Sequence, residues 1–446
     1  MLKELLKPEI QELVAQKNWQ QLKEILIEWP EADIAALLKT LEEKDAIILF
    51  MLLSKQLKAD VFSELDFTKQ RTFLRQLSSE DVREIILELP PDDRTGLFEE
   101  LPGKITKKLI NLLPAEERKQ TLQLLGYPEK SVGRLMTPDF VAIRPAWSVA
   151  QSLEHIRKFG HDAETVNRIY IVDENWHLLD DISLRKLILA NLNQKISSLM
   201  DRNFISISAF EDQEIVVKMI KKYNLYAVPV VDSENILLGI VTVDDVLDVF
   251  EEEVTEDVHK GGGVLPLEMS YNAASPFILY RKRIVWLFLL LVSGFLSSAV
   301  ITSFEGMLAK VVALACFIPV LIDTGGNVGN QASVLIVRAL AVGEVTVGKW
   351  FNIIKKELFV GISLGLTLGF VMGLWGYLWK GVFKIGMVVG ISIILISIWA
   401  NFVGSMLPLI LTKFKQDPAI ISASVLTTFV DITGLLIYFT TATLIL

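Results

Sequence analysis

Up to about residue 260, apolar residues recur at helix or strand spacing among many charges; beyond it they gather into long runs with few charges. The first run, Ile284 to Phe304, has no charged residue and is long enough to cross a ~30 Å hydrocarbon core at about 1.5 Å per residue. Val311–Val342, Leu358–Trp379, Ile385–Leu411 and Ala419–Leu446 follow, which predicts five spans and places the two chain ends on opposite sides. Residues 1 to about 128 show short helical repeats of cap, acidic pair and Leu-rich turn, as in LSSEDVREIILELPPDDRTGLFEELP and LLPAEERKQTLQLLGYP. Ser79-x-x-Val82 is no capping box, but Ser and Asp before helix-period Leu start a helix. Such units predict a superhelical, solenoid-like α domain.

From Ser131 the texture alternates strand and helix. LMTPDFVAI … RIYIVDENWHLLDDISLRKLI and LMDRNFISI … AVPVVDSENILLGIVTVDDVL share one plan, and Leu135 and Leu199 set its period. The β-branched runs IYIVD and VPVVD read as buried strands.

Composition divides the chain at the same place. With 51% hydrophobic residues and a mean hydropathy of +0.43, it is not a single soluble domain. Its one cysteine, Cys316, excludes a disulfide scaffold. The net charge of −9 resolves into about −14 on residues 1–260 and +5 on the rest. An acidic soluble half argues against nucleic acid as a partner and attracts cations. Arg281, Lys282, Arg283, Lys349, Lys355, Lys356, Lys413 and Lys415 fall on one side of the five spans, against Lys310, Lys380 and Lys384 on the other. The richer side is expected to face the cytoplasm together with the acidic half. The opening MLKELLKPEI lacks the apolar core of a signal peptide, so the amino terminus is expected there too.

Charges inside the spans carry the candidate chemistry, since each costs ~2.5–3.5 kcal/mol or more in hydrocarbon. Asp323 and Asp431 each lie about twelve residues into their spans, near the expected midplane. Asp323 sits in PVLIDTGGNVGNQAS, where Gly325, Gly326 and Gly329 interleave with Asn327, Asn330 and Gln331. Close helix packing accounts for the glycines, while the carboxylate calls for a protein interior, a proton or a cation. Asp431 in TTFVDITG reads either as a structural hydrogen-bonding group or as part of an ion path. Arg338 lies near a helix end and is expected to snorkel. In VTVDDVLDVFEEEVTEDVHKGGG, which joins the halves, Asp245, Asp248, Glu252 and Glu256 share one helix face. That face is either solvated or a cation site in which a divalent ion offsets the like-charge repulsion. Asp92, Asp93, Glu99 and Glu100 pose the same alternative in the N-terminal domain.

The 131–250 repeat resembles a tandem CBS module, and the resemblance implies an adenine nucleotide such as ATP on the Thr242 and Asp245 motif, or a purely structural pair. The first copy departs from that pattern: Lys186 follows Ser183 where Asp is expected, and Asp180-Asp181 replaces a small apolar pair. Over nearly its whole length the chain is similar to the MgtE family of magnesium transporters, through LIDTGGNVGNQAS, ALAVGEV, VTVDDVLDVFEEE and DPA…TT…DITG. The resemblance implies a multidomain protein: an α-helical superhelical N domain (1–128), an α/β tandem CBS module (129–250, with copies at about 131–190 and 195–250), a connecting plug helix (251–276) and an all-α transmembrane domain of five helices (277–446). It further implies a homodimeric, non-enzymatic Mg2+ channel in the plasma (inner) membrane, maintaining magnesium homeostasis. Asp431, Asp323, Asn327 and Asn330 would line its pore. Cytoplasmic Mg2+ would close it through Asp92, Asp93, Asp245, Asp248, Glu252, Glu253, Glu256, Asp257 and Asp417. Two segments depart from the family: Ala423 and Ser424 stand where a proline is common, and Asn224 where an acid is common. Three other readings stand beside this one: an intramembrane enzyme, a magnesium sensor without transport, and a proton-coupled carrier. Against the enzyme, the apolar half has no His and no HExxH.

Overall fold

The computed structural model describes residues 10, 12–14, 16–267, 269, 271, 274–345, 347–414, 416 and 423–446. It divides into two compact units, Met1–Glu253 and Val254–Leu446.

The first unit opens with nine described helices of eight to ten residues, from Trp19–Leu26 to Ala115–Leu124. Helices this short are marginal alone and persist only by burying a shared face. Here Phe50, Phe62 and Phe73 are fully enclosed, with the Phe50 and Phe73 rings edge-on at 5.0 Å. Prolines 30, 90, 102 and 114 precede four of the helices, while Asn18, Ser54, Asp66 and Ser78 cap others through their side chains. The start signal near Ser79 resolves to Ser78, whose hydroxyl accepts the Asp81 N–H at 3.2 Å.

Two three-stranded sheets follow, in the orders β1 (Phe140–Ile143), β2 (Thr165–Val172), β3 (Leu178–Ser183) and β4 (Ile207–Ser208), β5 (Ala227–Val231), β6 (Leu237–Thr242). In each, the first pairing is parallel and the second antiparallel. Tyr170, Val172, Leu178, Ala227, Val231 and Ile240 form one core shared by both copies. Leu124, from the last N-terminal helix, is buried in the core of the second copy. β6 runs directly into the acidic helix Val243–Gly261, which ends in the triple glycine, where Gly263 has φ +68.

The second unit has five helices long and apolar enough to cross a membrane: Pro276–Ser303, Val312–Ala341, Trp350–Lys380, Phe383–Lys413 and Val425–Ile445. The second differs from its expected form. It opens as a 3-10 turn over Val312–Phe317, and the α-helix begins at Ile318, with Pro319 in its first turn. Asp323 is therefore the sixth residue of the α-helix, so the twelve-residue count to mid-span does not describe a continuous helix. The second, fourth and fifth spans pack on one another through Leu321, Ile393, Ile396, Leu435 and Phe439. The first span buries none of its apolar stretch within this chain.

Candidate ion path and acidic contact

Glycines bring the second, fourth and fifth spans close. A Cβ on Gly404 would collide with the Gly329 carbonyl oxygen, one on Gly325 would sit 2.6 Å from Ile396, and one on Gly326 would sit 2.6 Å from Thr427. The packing reading of these glycines therefore holds. It also turns the remaining face of the second span outward. Asp323 and Asn327 are exposed and Asn330 is half-buried, at the i, i+4 and i+7 positions of one stripe. On the fifth span, Asp431 is half-buried, and its Oδ1 is enclosed with no hydrogen-bond partner. Asp323 is the charged group that acts on it. An enclosed carboxylate oxygen without a donor is costly, and two carboxylates together make it more so. Nearby polar contacts hold the fifth span: Trp399 Nε1 donates to Thr433 Oγ1 at 2.9 Å, and Ser293 Oγ donates to Thr428 Oγ1 at 3.4 Å. Arg338 is exposed near the end of its helix.

Sequence reading missed one intramembrane pair. Asn401 Nδ2 donates to the Glu357 backbone oxygen at 2.6 Å and to its carboxylate at 3.1 Å. The third helix starts at Trp350, so Glu357 lies within it rather than in the loop before it. A lone amide in the uncharged Ile385–Leu411 run was the available signal.

In the first unit, two acidic helix starts share one neighbourhood. Asp92 and Asp93 lie in the first turn of Pro91–Glu100, and Asp244 and Asp245 in the first turn of Val243–Gly261. Helix N-termini favour such anions individually, but here the anions also repel one another. Asp92 is held well above the usual carboxylate range, by burial first and then by Asp245 and Asp93. One of its oxygens is enclosed without a partner. Burial pushes Asp93 up to about 6, with Glu164, Asp248 and Asp244 adding to it; Asp93 keeps contact with water, which screens part of this effect. Burial raises Asp245 to about 7, opposed by the Thr242 hydroxyl, which donates to its Oδ2 at 2.7 Å. Asp248 and Glu252 are raised too, by burial and then by their acidic neighbours. Arg94, which stands among these acids, is buried and committed to backbone: its Nε donates to Ile86 O and its Nη2 to Leu89 O, each at 2.8 Å.

Other expected regulatory residues fall elsewhere. Glu253 accepts Gln213 Nε2 at 2.9 Å and lies 3.7 Å from Lys130 Nζ, so it ties the acidic helix to the second CBS copy. Glu256 pairs with Lys260 at 2.6 Å. Asp257 is exposed on the same helix, and Asp417 and Lys415 lie outside the described residues. Ala423 and Ser424 lie in the fifth helix, but their side chains are likewise outside the description. Among the described residues, no three His, Cys, Asp or Glu side chains are gathered tightly enough to hold a metal ion directly. Glu164, before β2, and Asp244 belong to the acidic contact and were missed, because their proximity to Asp93 is a tertiary fact.

The departures in the CBS module have local causes. Asp180 is 1% exposed and accepts the N–H groups of Asp181, Asp201 and Arg202, stapling the segment that enters the second copy. Asp181 pairs with Arg168 at 2.9 Å. Ser183 caps its helix by accepting the Lys186 N–H. Asn224 closes its helix in the left-handed region, φ 51 and ψ 50, a conformation Asn tolerates and an acid adopts less readily.

Three family models match the chain: the divalent cation transporter domain MgtE over residues 318–441, the MgtE intracellular N domain over 29–130, and CBS domains over 132–193 and 196–252. The magnesium transporter MgtE of Thermus thermophilus is 41% identical over 72% of each chain. That of Bacillus subtilis is 36% identical over 72% of this chain and 70% of its own. Among solved structures, the cytosolic domain of the Mg2+ channel MgtE in complex with ATP is 35% identical with a TM-score of 0.51, covering 54% of this chain and 98% of that one. The soluble part of a magnesium transporter is 29% identical with a TM-score of 0.53, covering 56% and 99%. With the acidic soluble module, the CBS pair and the five apolar helices on one chain, it belongs to the MgtE family of multi-pass membrane transporters.

Proposed function

We propose that this chain conducts Mg2+ as a homodimer, along a path lined by Asp323, Asn327, Asn330 and Asp431. The observation that carries the reading is the enclosed, unpartnered oxygen of Asp431 beside Asp323. A hydrated divalent cation supplies the charge that two intramembrane carboxylates need, and Mg2+ keeps most of its water, so carboxylates and amides serve it without a full protein cage. The exposed Asp323–Asn327 stripe calls for a polar surface opposite, which a second copy provides. The relatives that share this plan are named magnesium transporters. The soluble half faces the cytoplasm of the inner membrane on the basic-loop rule, so the same ion meets both acidic sets.

Cytoplasmic Mg2+ binds between Asp92, Asp93, Asp245 and Asp248 largely through its water, lowering their mutual repulsion and closing the path through the acidic helix. Glu252, Glu256, Asp257 and Asp417 extend the acidic surface of this gate. When magnesium falls, the raised carboxylates repel and the contact opens. The Thr242–Asp245 pair also suits an adenine nucleotide ribose, and the ATP-bound cytosolic domain supports that second ligand. The deciding experiment is Mg2+ flux into liposomes. Asp431→Ala should abolish flux with the dimer intact on sizing, and undiminished flux would falsify the path. Reversal potentials under opposed Mg2+ and proton gradients separate conduction from proton coupling: a shift with the proton gradient would favour a carrier.

A further inference from the structure

The fourth span, Phe383–Lys413, has one amide, Asn401, which is 2% exposed. Its side chain faces the third span, where Nδ2 donates to both the backbone oxygen and the carboxylate of Glu357. Gly361, one turn on from Glu357, permits this approach: a Cβ there would lie 3.1 Å from the Asn401 Cβ. Residues flanking Asn401 meet the other spans. A Cβ on Gly329 of the second span would lie 3.2 Å from the Ala400 carbonyl oxygen and 3.5 Å from Val430 of the fifth, and Gly404 meets the Gly329 carbonyl directly. Gly329 precedes Asn330, and Val430 precedes Asp431. One turn of the fourth span therefore holds the third through a polar side chain and the second through its backbone, next to two residues of the proposed path. Apolar side chains make most of the other contacts of this span. Such contacts are non-directional, whereas a hydrogen bond fixes both distance and rotation.

We infer that Asn401, held by Glu357, is a positioning residue that sets the spacing of the ion path and so its preference for Mg2+ over larger divalent cations. This rests on the path proposed above and adds what fixes its width. Asn401 acts through the turn from Ala400 to Gly404 rather than on the ion itself. A path that serves a hydrated, octahedral Mg2+ must hold its oxygens at fixed spacing, whereas Ca2+ sheds water more readily and accepts longer, irregular coordination. Without the two hydrogen bonds the fourth span is free to turn about its axis, and Gly329 and Val430 relax with it. The spacing of Asn330 and Asp431 then loosens, which favours the larger ion.

The test compares Mg2+ and Ca2+ flux into liposomes that hold the full chain. Asn401→Leu, close in size but without donors, should raise the ratio of Ca2+ to Mg2+ flux by about threefold to tenfold, the range of one or two intramembrane hydrogen bonds. Glu357→Gln keeps an acceptor oxygen and the backbone bond, and should hold the wild-type ratio. Val388→Ala loosens the fully buried core of the same span away from the pair. It should lower the detergent melting temperature and leave the ratio unchanged. Should Asn401→Leu fail to fold, Glu357→Leu, which spares the backbone bond, should show a smaller rise in the same direction. An unchanged ratio in the folded variant overturns the inference, and an equal rise in Val388→Ala overturns it in favour of general packing. Asp431→Ala, measured alongside, keeps the two readings apart. Flux that persists there sinks the path itself; abolished flux there with an unchanged ratio in Asn401→Leu sinks the positioning role alone.

Discussion

Two sets of carboxylates in this chain are unmatched for opposite reasons. Asp431 has an oxygen enclosed in the packed helices without a donor, while Asp323 stands exposed on the open face of the second span. Asp92, Asp93, Asp244 and Asp245 are crowded because two helix starts, each suited to anions, meet with like charge. The first set depends on backbone approach and the second on charge density. The membrane set should therefore respond to added volume as well as to lost charge, and the soluble set chiefly to charge.

The largest expected effect is on the membrane set. Asp431→Ala removes the enclosed carboxylate that would meet the ion and should abolish Mg2+ flux into liposomes. Gly404→Val comes next. Overpacking against Gly329 should destabilise the membrane unit by ~1–3 kcal/mol, lowering the detergent melting temperature and the flux together. A variant with normal melting and normal flux would break the steric half of the comparison.

Charge neutralisation tests the other half. Asp93→Asn or Asp245→Asn removes both repulsion and a carboxylate for the ion, so protection of the acidic helix from protease should depend less steeply on Mg2+, and an unchanged dependence would argue against the ion-bridge gate. The pH dependence has a definite sign. Asp93 and Asp245 are raised, to about 6 and about 7, by burial and by neighbouring acids. The closed contact therefore binds more protons than the separated state, and in chelator it should weaken as pH rises from about 4 to about 7 and level off above that. Millimolar Mg2+ should offset this loss, most fully near and above pH 7, where the carboxylates are ionised; protease protection against pH, with and without the ion, measures both. The smallest effect belongs to Gly96, in the helix that carries Asp92 and Asp93, where an added Cβ meets nothing within 4 Å. Gly96→Ala should stabilise the soluble unit by ~0.5–1 kcal/mol in thermal melts, the reverse of a membrane glycine.

The elements were largely legible because periodicity reports burial directly. IYIVD and VPVVD are buried strands, the Leu-period segments are helices, and the five apolar runs are five long helices. Boundaries were less so. The second span loses its first turn to 3-10 geometry ahead of Pro319, and the third begins early enough to include Glu357. Among site residues, Asp431 and Asp323 stood out because charge in an apolar run has no bland context. Glu164 did not, since acids are ordinary on a soluble surface until folding sets one beside Asp93. Glu253 was expected among the regulatory Mg2+ residues, and in the structure it is tethered by Gln213 and Lys130.

The sequence alone determined which segments are apolar, where charge accumulates, and that one chain joins an acidic soluble half to five spans. These follow from residue chemistry and spacing, which survive without coordinates. Tertiary structure decided which carboxylates are neighbours, which are satisfied, and which face of the second span is left open. Asp180 and Asp92 illustrate the division: both are acids in the soluble half, yet Asp180 meets three backbone donors and Asp92 meets other acids. That distinction depends on electrostatics over a few ångströms between residues far apart in the chain, which no linear pattern encodes.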